Sequence, residues 1–278
     1  MTLRLAGEAL NANLGQPLIV ENRPGAGGVA ATSTMLNANA DGYTLIVLTN
    51  GTAIAESQFK LDYDVQSALR PVSALAWFDL ILLVNPASHV DSVSALLERA
   101  RNSPRGLRIA TINPGSTQHL SAELFKEEAG IDATIISYRT TPDVLGALLR
   151  NEVDLVIDAY TALKGAIDGG QVRPIAVTGS KRNVVLPQVP TVAESGLPDY
   201  VVEGWNALYT NAKVPDAVVA RLNAAVVAAA DDARIKQRFQ ELGVEARGST
   251  PEEIQQRFIA DIAKWHAVMV EAGLAISP

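Results

Sequence analysis

Asn113-Pro-Gly-Ser-Thr-Gln-His119 joins a predicted strand to a predicted helix. Residues 107–111 before it are typical of a strand, and the helix that starts at about Ser116 carries Leu120 and Leu124 on one face. The Pro-Gly turn brings two hydroxyl side chains to a helix start, whose first backbone N–H groups lack partners. Those donors and the positive end of the helix dipole favour an anion. Two interpretations stay open, an anion-binding turn and a plain N-cap at Ser116.

The turn contains no cation, since no Arg or Lys lies between Arg108 and Lys126. Dipoles and hydroxyl groups would therefore hold the anion, which suits reversible binding of a small carboxylate better than chemistry on it. The net charge of −7 argues against a nucleic-acid partner. It does not exclude a carboxylate ligand, because local dipoles decide what a site binds.

The composition fits one or two globular domains, with 278 residues, 48% hydrophobic and 19% charged. The sequence has no cysteine, which excludes disulfides and thiolate metal sites, and its three histidines lie far apart. We therefore predict neither a metal site nor a cofactor. No apolar run approaches the ~18 residues of a membrane span. The first residues are typical of an amphipathic helix, so no signal peptide is predicted in this chain.

Strands and helices alternate along most of the chain, which predicts an α/β fold with mostly parallel sheets covered by helices. The predicted strands are Leu18–Val20, Tyr43–Thr49, Leu80–Val84, 107–111, 133–137, 153–158, 173–178 and Gly204–Tyr209. The predicted helices are Leu3–Leu14, Val29–Asn37, Val93–Arg101, 116–129, 142–149, 160–168, a short one at Thr191–Glu194 and a last one capped by Thr250.

Two series of this alternation suggest two domains, with the strands at 80–84 and 204–209 as crossovers. We expect a discontinuous first lobe of residues 1–103 and 204–278 and a second lobe of residues 104–203. Ligands of such folds bind outside the carboxyl ends of strands, in a cleft between domains. The loops expected to face that cleft are Asn50–Thr52, Pro114–Thr117 and Asp158–Thr161.

A glycine-rich loop supports a different function. Gly25-Ala-Gly-Gly-Val-Ala30 fits the G-x-G-x-x-A form of the dinucleotide fingerprint. Its context argues against a nucleotide, because residues 21–24 separate it from the preceding strand and the next strand ends in Asn50 instead of an acidic residue. A nucleotide-dependent α/β enzyme using this loop stays open as the alternative function.

Four longer motifs point to one family: Gly15-Gln-Pro-Leu-Ile-Val-Glu-Asn-Arg-Pro-Gly-Ala-Gly-Gly28, Asp41-Gly-Tyr-Thr44, Gly115-Ser-Thr-Gln-His-Leu-Ser-Ala-Glu-Leu-Phe125 and Leu186-Pro-Gln-Val-Pro-Thr-Val-Ala-Glu-Ser-Gly-Leu-Pro198. With them the chain resembles the Bug-type, or tripartite tricarboxylate transporter, periplasmic substrate-binding receptors over essentially its whole length. The resemblance implies a two-lobed, type II periplasmic binding protein (Venus-flytrap) fold.

The resemblance also implies a function. It indicates an extracytoplasmic solute receptor, not an enzyme, located in the periplasm. Such a receptor closes on a small organic carboxylate in the cleft between its lobes and delivers it to the permease subunits of the transporter. The ligands expected from the family are dicarboxylates, tricarboxylates, amino acids and aromatic acids.

The family's pocket holds its carboxylate with backbone amides, hydroxyls and waters, without a clamping Arg. The residues that match its positions, and are therefore predicted to bind the ligand, are Asn50, Gly51, Thr52, Gly115, Ser116, Thr117, His119, Tyr138, Asp158 and Ala159.

The chain departs from the family pattern in three places. The family's opening strand and Pro-Gly-Gly loop would precede Met1, so we expect the first strand of lobe 1 to be missing from this chain. Ala159 stands where the family has Asn, which removes an amide from the pocket rim. Thr140 stands where the family has a turn Gly, which puts a close backbone approach there in question.

Overall fold

A computed structural model describes residues 1–23 and 28–275, and its contacts divide the chain into two compact units. Unit 1 is Met1–Trp77 with Trp205–Pro278, and unit 2 is Phe78–Gly204. The boundaries fall inside two long strands, β2 (Leu69–Val84) and β7 (Glu203–Asn211). Residues 78–103, expected in the first lobe, group with unit 2, because the end of β2 pairs with strands of that unit.

Unit 1 contains most of the helices. With all elements numbered in chain order, its helices are α1 (Thr2–Leu14), α2 (Val29–Leu36), α3 (Asn50–Gln58), α4 (Val65–Ala68), α9 (Asp216–Asp231), α10 (Ala233–Gln240) and α11 (Pro251–Glu271). Its strands are β1 (Ile46–Thr49), β8 (Val244–Ala246) and the adjoining parts of β2 and β7. None of the described helices is long and apolar enough to cross a membrane.

The sheet of unit 1 lacks one of the strands predicted from the sequence. β1 pairs antiparallel with β7, with Ile46 opposite Tyr209, and β2 pairs with both β7 and β8. The predicted strand Leu18–Val20 does not form, although its residues lie in the described part of the chain. Within that part, β1 has β7 as its strand partner on one edge and none on the other.

Unit 2 contains the remaining elements. They are a 3-10 turn at Pro86–Ser88, α5 (Val93–Asn102), β3 (Leu107–Ile112), α6 (Thr117–Ala129), β4 (Ala133–Tyr138), α7 (Thr141–Leu149), β5 (Leu155–Ala159), α8 (Tyr160–Asp168) and β6 (Arg173–Val177). The apolar core on one side of its sheet includes Ile81, Val144, Val156, Tyr160 and Val177.

The sheet of unit 2 is mixed. β3 pairs parallel with β4 and β5, as predicted for strands joined through helices. β2 instead pairs antiparallel with β5 and β6. The expectation of mostly parallel pairing therefore holds for β3, β4 and β5, while the long strand that enters from unit 1 runs against its neighbours.

Capping residues set the ends of several helices. The hydroxyl of Thr250 accepts from the Glu253 amide, and the Glu253 carboxylate accepts from the Thr250 amide, so the capping box predicted for α11 is confirmed. Trp265 of α11 is 1% exposed and belongs to the core, as predicted. The same reciprocal bonds form between Thr191 and Glu194, but the short helix predicted there is wrong. Thr191 instead forms a bridge with Val177.

The three tryptophans of the sequence all belong to unit 1. Trp205 and Trp265 are buried, and Trp77 is half-buried. The ring of Trp77 lies near two guanidinium groups, with the Arg247 carbon 4.4 Å and the Arg257 carbon 5.5 Å from the ring centroid. Such cation–π contacts stabilise by about 0.5–1 kcal/mol at exposed sites.

Gly106 and Gly130 offer a matched test of steric fit in unit 2. Both have a positive φ, 65° and 57°, which costs an L side chain about 1–2 kcal/mol. A Cβ on Gly106 would lie 2.2 Å from the Asp132 carbonyl oxygen, whereas one on Gly130 would meet nothing within 4 Å. We predict that Gly106→Ala lowers the free energy of unfolding by more than Gly130→Ala. Urea denaturation of both variants measures the difference, and equal losses would contradict the clash.

Candidate functional site

The turn at 113–116 follows β3 in unit 2. The Asn113 amide donates to the Tyr138 carbonyl at 2.9 Å, which ties the turn to the end of β4. Asn113 and Gly115 both take a left-handed backbone, with φ of 38° and 73°. For a residue other than glycine this conformation is uncommon, although Asn tolerates it better than most. These two residues redirect the chain from the end of β3 into the first turn of α6.

Ser116 is the N-cap of α6, as one of the two interpretations of the sequence predicts. Its hydroxyl accepts from the His119 amide at 3.1 Å and donates to the Ile112 carbonyl at 2.5 Å. Its proton is therefore used within the turn, and the side chain holds the turn in shape. Direct contact between the Ser116 hydroxyl and a ligand stays a prediction.

His119 supports the same turn. Its Nδ1 accepts from the Gly115 amide at 3.2 Å, so the neutral ring carries its proton on Nε2. Burial lowers the pKa of His119 below its usual value, and the nearby Glu123 carboxylate has the opposite, smaller effect. Nε2 lies 3.9 Å from the Glu123 carboxylate. The histidine that the sequence places in the site is thus a buried neutral acceptor for a backbone amide.

Thr117 is the candidate whose side chain stays available. It is half-buried in the first turn of α6, and its hydroxyl makes no hydrogen bond within the described residues. The first N–H groups of a helix have no intrahelical acceptor. Thr117 therefore offers a hydroxyl donor beside first-turn amides at the positive end of α6.

Asp158 brings three helix starts of unit 2 together. One carboxylate oxygen accepts from the Gln118 side chain at 3.0 Å and from the Ala159 amide at 2.8 Å, and the other accepts from the Thr141 hydroxyl at 2.8 Å. Gln118, Thr141 and Ala159 belong to the starts of α6, α7 and α8. The carboxylate is 2% exposed and has neutral donors only. Since an unsolvated charge is costly, these bonds and the helix dipoles stabilise it.

The cluster around Asp158 combines three helix starts with one carboxylate. The positive end of a helix dipole favours an anion, and Asp158 already accepts one backbone N–H at the start of α8. Within the described residues, the groups that donate to Asp158 are neutral, without a bonded Arg or Lys.

Two further predicted positions have distinct roles in unit 2. Tyr138 packs its ring against the apolar core, and its carbonyl accepts from the Asn113 amide. Ala159 is the N-cap of α8 and supplies no side-chain hydrogen bond there.

Thr140 has a φ of −137° and caps α7 by accepting from the Asp143 amide at 3.3 Å. The backbone at Thr140 therefore does not require the glycine that the family pattern has there.

In unit 1, residues 50–52 are the first turn of α3 instead of the predicted loop. The Thr49 hydroxyl accepts from the Gly51 amide at 3.1 Å, and the Thr52 hydroxyl accepts from the Thr49 amide at 3.3 Å. This reciprocal capping explains why a helix starts directly at the end of β1. The side chain of Thr52 is 5% exposed and is used in this cap.

Asn50 faces the interior of unit 1. Its side-chain oxygen accepts from the Trp205 amide at 2.9 Å, and its nitrogen lies 3.4 Å from an oxygen of Asp261. The indole of Trp205 donates to the same Asp261 oxygen at 2.6 Å, and Arg257 donates to both carboxylate oxygens at 3.1 Å. Asn50 is 3% exposed, and its side-chain bonds join the start of α3 to the interior of unit 1. Contact between this side chain and a ligand stays a prediction.

Sequence reasoning missed four residues that organise these helix starts: Gln118, Thr141, Trp205 and Asp261. Gln118 stands inside the quoted motif, and Thr141 follows the Tyr-Arg-Thr turn, so polar side chains at helix starts were a usable signal for both. Trp205 and Asp261 lie 155 and 211 residues from Asn50, and no local pattern connects them.

Two other kinds of site, for a metal and for a nucleotide, concern other residues of the chain. Within residues 1–23 and 28–275, no group of three or more His, Asp or Glu side chains could hold a metal ion. Most of the glycine loop of the nucleotide hypothesis, residues 25–27, lies outside the described residues. Of the rest, Gly28 is the N-cap of α2, with φ 103°.

The lowered pKa of His119 predicts a pH dependence. A histidine in the unfolded chain has a pKa of about 6.5, so below that pH the unfolded state binds more protons than the folded state does. We predict that the stability gained by keeping His119 neutral in the folded protein is complete above about pH 6.5. It is lost as the pH falls through the lower pKa of the folded state.

Urea denaturation of the wild type and His119→Gln between pH 7.5 and 5 measures this loss. Glutamine retains an acceptor for the Gly115 amide but does not titrate. Subtracting the free energy of unfolding of one protein from that of the other removes the contribution of other titrating groups. Asp79 is one such group, because burial raises its pKa to about 6. The difference in free energy of unfolding between the wild type and His119→Gln should become smaller as the pH falls. A constant gap would show that His119 does not titrate as inferred.

Comparison with known proteins identifies the family of the chain. The chain matches the tripartite tricarboxylate transporter family receptor over residues 2–274. It is 31% identical over 274 residues to Protein BugT of Bordetella pertussis, covering 97% of this chain and 84% of that protein.

Two solved structures carry ligands. Rpa4515 of R. palustris, with adipate, superposes with a TM-score of 0.84 at 34% identity, covering 99% of this chain and 93% of the other. MatC of Rhodopseudomonas palustris, with bound malate, has a TM-score of 0.78 at 31% identity, covering 96% and 92%. Periplasmic binding proteins of this family are solute receptors and not enzymes, and the chain has their α/β fold. The chain therefore belongs to the tripartite tricarboxylate transporter receptor family.

Proposed function

We propose that this protein is an extracytoplasmic receptor that binds a small organic carboxylate and delivers it to a tripartite tricarboxylate transporter permease. The observation that carries the proposal is the cluster of three helix starts around Asp158 in unit 2. The ligands of the two R. palustris relatives, adipate and malate, support a dicarboxylate. A periplasmic location follows from the same family membership.

The ligand carboxylate would lie at the first turn of α6. There the Thr117 hydroxyl and the unpaired first-turn amides donate to it, and Ser116 and His119 keep the turn in shape. The proposed contacts at Gly115, Tyr138, Asp158 and Ala159 act mainly through backbone groups and through the order that they impose. The predicted contribution of Asn50, Gly51 and Thr52 in unit 1 stays a prediction.

Neutral donors give an affinity suited to release. A hydrogen bond contributes about 0.5–1.5 kcal/mol net, and somewhat more when one partner is charged. Micromolar affinity requires about 8 kcal/mol, so several such contacts must act together. A receptor that passes its ligand on benefits from this arrangement, because each contact can be lost in turn without separating a buried ion pair.

Calorimetry with adipate and malate tests the proposal. We predict saturable binding of at least one of them, and none of 1,6-hexanediol, which matches the length of adipate without its charges. Thr117→Val keeps the shape of the side chain and removes its hydroxyl. This variant should weaken binding by about 13- to 160-fold, the equivalent of one hydrogen bond to a charged group.

Thr134→Val is the matched control, because Thr134 is exposed on β4 of the same unit. Its affinity should equal that of the wild type. If Thr117→Val binds the dicarboxylate as tightly as Thr134→Val, the ligand does not use the start of α6. If neither acid binds but another acid of a wider panel does, the ligand is another carboxylate. If no acid of the panel binds, the receptor function is rejected.

A further inference from the structure

Asn50 and Gly51 form the only Asn-Gly pair in the sequence. In such a pair the backbone nitrogen of the glycine can attack the side-chain carbonyl carbon of the asparagine, because glycine has no Cβ to shield that nitrogen. The nitrogen bonds to the carbon, the bond from the carbon to Nδ2 breaks, and ammonia leaves with the proton of the glycine amide. Water then opens the cyclic imide to aspartate or isoaspartate, so a neutral side chain becomes an acid.

The folded protein holds both reacting groups in other bonds. The Gly51 amide donates to the Thr49 hydroxyl at 3.1 Å in the cap of α3. The Asn50 side-chain oxygen accepts from the Trp205 amide at 2.9 Å, and Nδ2 lies 3.4 Å from a carboxylate oxygen of Asp261. A cyclisation requires its reacting atoms to meet in the right orientation. In the folded protein it would therefore break the cap and both bonds of the side chain.

Burial adds to this protection. Asn50 is 3% exposed, so water and base have little access to the pair while unit 1 is folded. α3 is also joined to α11 at both of its ends, by Asn50 with Asp261 and by Ser57 with His266 at 3.2 Å. Because opening of the α3 start breaks contacts across unit 1, we expect the pair to react only when the unit unfolds.

The product of the reaction does not fit the folded unit. A carboxylate formed at position 50 would replace the Nδ2 group that faces Asp261. Asp261 is 4% exposed, and Arg257 already donates to both of its oxygens at 3.1 Å. A second negative charge buried beside it is both desolvated and repelled. Isoaspartate also inserts a carbon into the main chain at the start of α3, which disturbs the cap at Thr49.

We propose that Asn50–Gly51 is a modification site that is closed in the folded protein and open in the unfolded chain, and that its deamidation prevents return to the native structure. Water is the only co-reactant of the reaction. Each molecule that stays unfolded therefore loses the ability to refold as Asn50 is converted.

Peptide mass spectrometry of the 278-residue chain tests the protection. Samples are kept at mildly alkaline pH in buffer and in increasing guanidinium chloride, and the mass gain of the peptide that contains Asn50 is followed with time. The rate in buffer should be lower than in the unfolded chain by about a thousandfold or more, in line with the unfolded fraction of a stable domain. Across the denaturant series it should rise with the unfolded fraction measured by circular dichroism. A rate in buffer above that fraction would overturn the protection.

Asn102 is an internal control in the same samples. It is exposed at the end of α5 and is followed by Ser103, so the fold does not bury it. Its rate of deamidation should change much less between buffer and denaturant than the rate of Asn50. Equal acceleration of both residues by denaturant would reject burial as the cause.

Refolding of the wild type tests the second half of the proposal without a variant. Chain held unfolded until part of Asn50 is converted is diluted into buffer, and size-exclusion chromatography separates the native fraction from the remainder. Acid at position 50 should be depleted in the native fraction by about tenfold or more, because a buried charge without a partner is strongly destabilising. The same share of acid in both fractions would overturn the proposal.

Asn50→Asp produces one product directly. This variant should unfold at a lower denaturant concentration than the wild type, because it places the carboxylate beside Asp261 in every molecule. Asn39→Asp is the matched control, since Asn39 is exposed in the same unit, and its midpoint should equal that of the wild type. Equal midpoints for the two variants would show that the folded unit accepts the acid, and the proposal would fail.

Gly51→Ala slows the reaction itself. The added methyl group shields the attacking nitrogen, and its Cβ would lie 3.3 Å from the Thr49 hydroxyl oxygen, a tight contact with a side chain only. After the same time in denaturant, this variant should keep a larger share of its own initial refolding yield than the wild type keeps. Loss of yield at the same rate in both proteins would place the damage outside Asn50–Gly51 and reject the proposal.

Discussion

A carboxylate can be buried only where enough donors replace the water that it loses, and this constraint shapes the site of unit 2. Asp158 meets it with an amide side chain, a hydroxyl and a backbone N–H from three different helix starts. Each donor fixes the element that carries it. One buried carboxylate thus links the starts of α6, α7 and α8 at this end of the sheet.

Unit 1 solves the same problem in another way. Asp261 accepts from Asn50, from the Trp205 indole and from the guanidinium of Arg257, so its charge is balanced by a cation. An ion pair of this kind leaves little potential for anything else. Within the described residues Asp158 accepts from neutral donors only, and the helix starts beside it favour an anion through their dipoles. The difference explains why we place the anion at the helix starts of unit 2.

The sequence predicted most elements because their signals are local. The alternation of strands and helices, the cap at Ser116 and the capping box of α11 need only neighbouring residues. The same reasoning failed at Leu18–Val20, where the residues favour a strand but the described chain provides no partner strand. It also failed at Thr191, whose cap bonds form without a helix.

The turn at 113–119 was predictable from the sequence, but most of the bonds that its side chains make were not. The motif at 113–119 predicted the turn, and the alternation of strands and helices predicted a loop at Asp158–Thr161. The cap at Ser116 was one of two interpretations of the sequence, and nothing in the sequence showed that His119, Asn50 and Thr52 direct their side chains to the protein itself. The bonds of His119 and Thr52 are local, with Gly115 and Thr49. Those of Asn50 join it to Trp205 and Asp261, which lie far away in the chain.

The placement of the tryptophans has a consequence for spectroscopy. Since Trp77, Trp205 and Trp265 all lie in unit 1, indole emission excited at long ultraviolet wavelengths originates there alone. Unit 2, with Tyr138, Tyr160 and Tyr200, is dark under that excitation. The native protein therefore contains a fluorophore set that reports on one half of the molecule without any label.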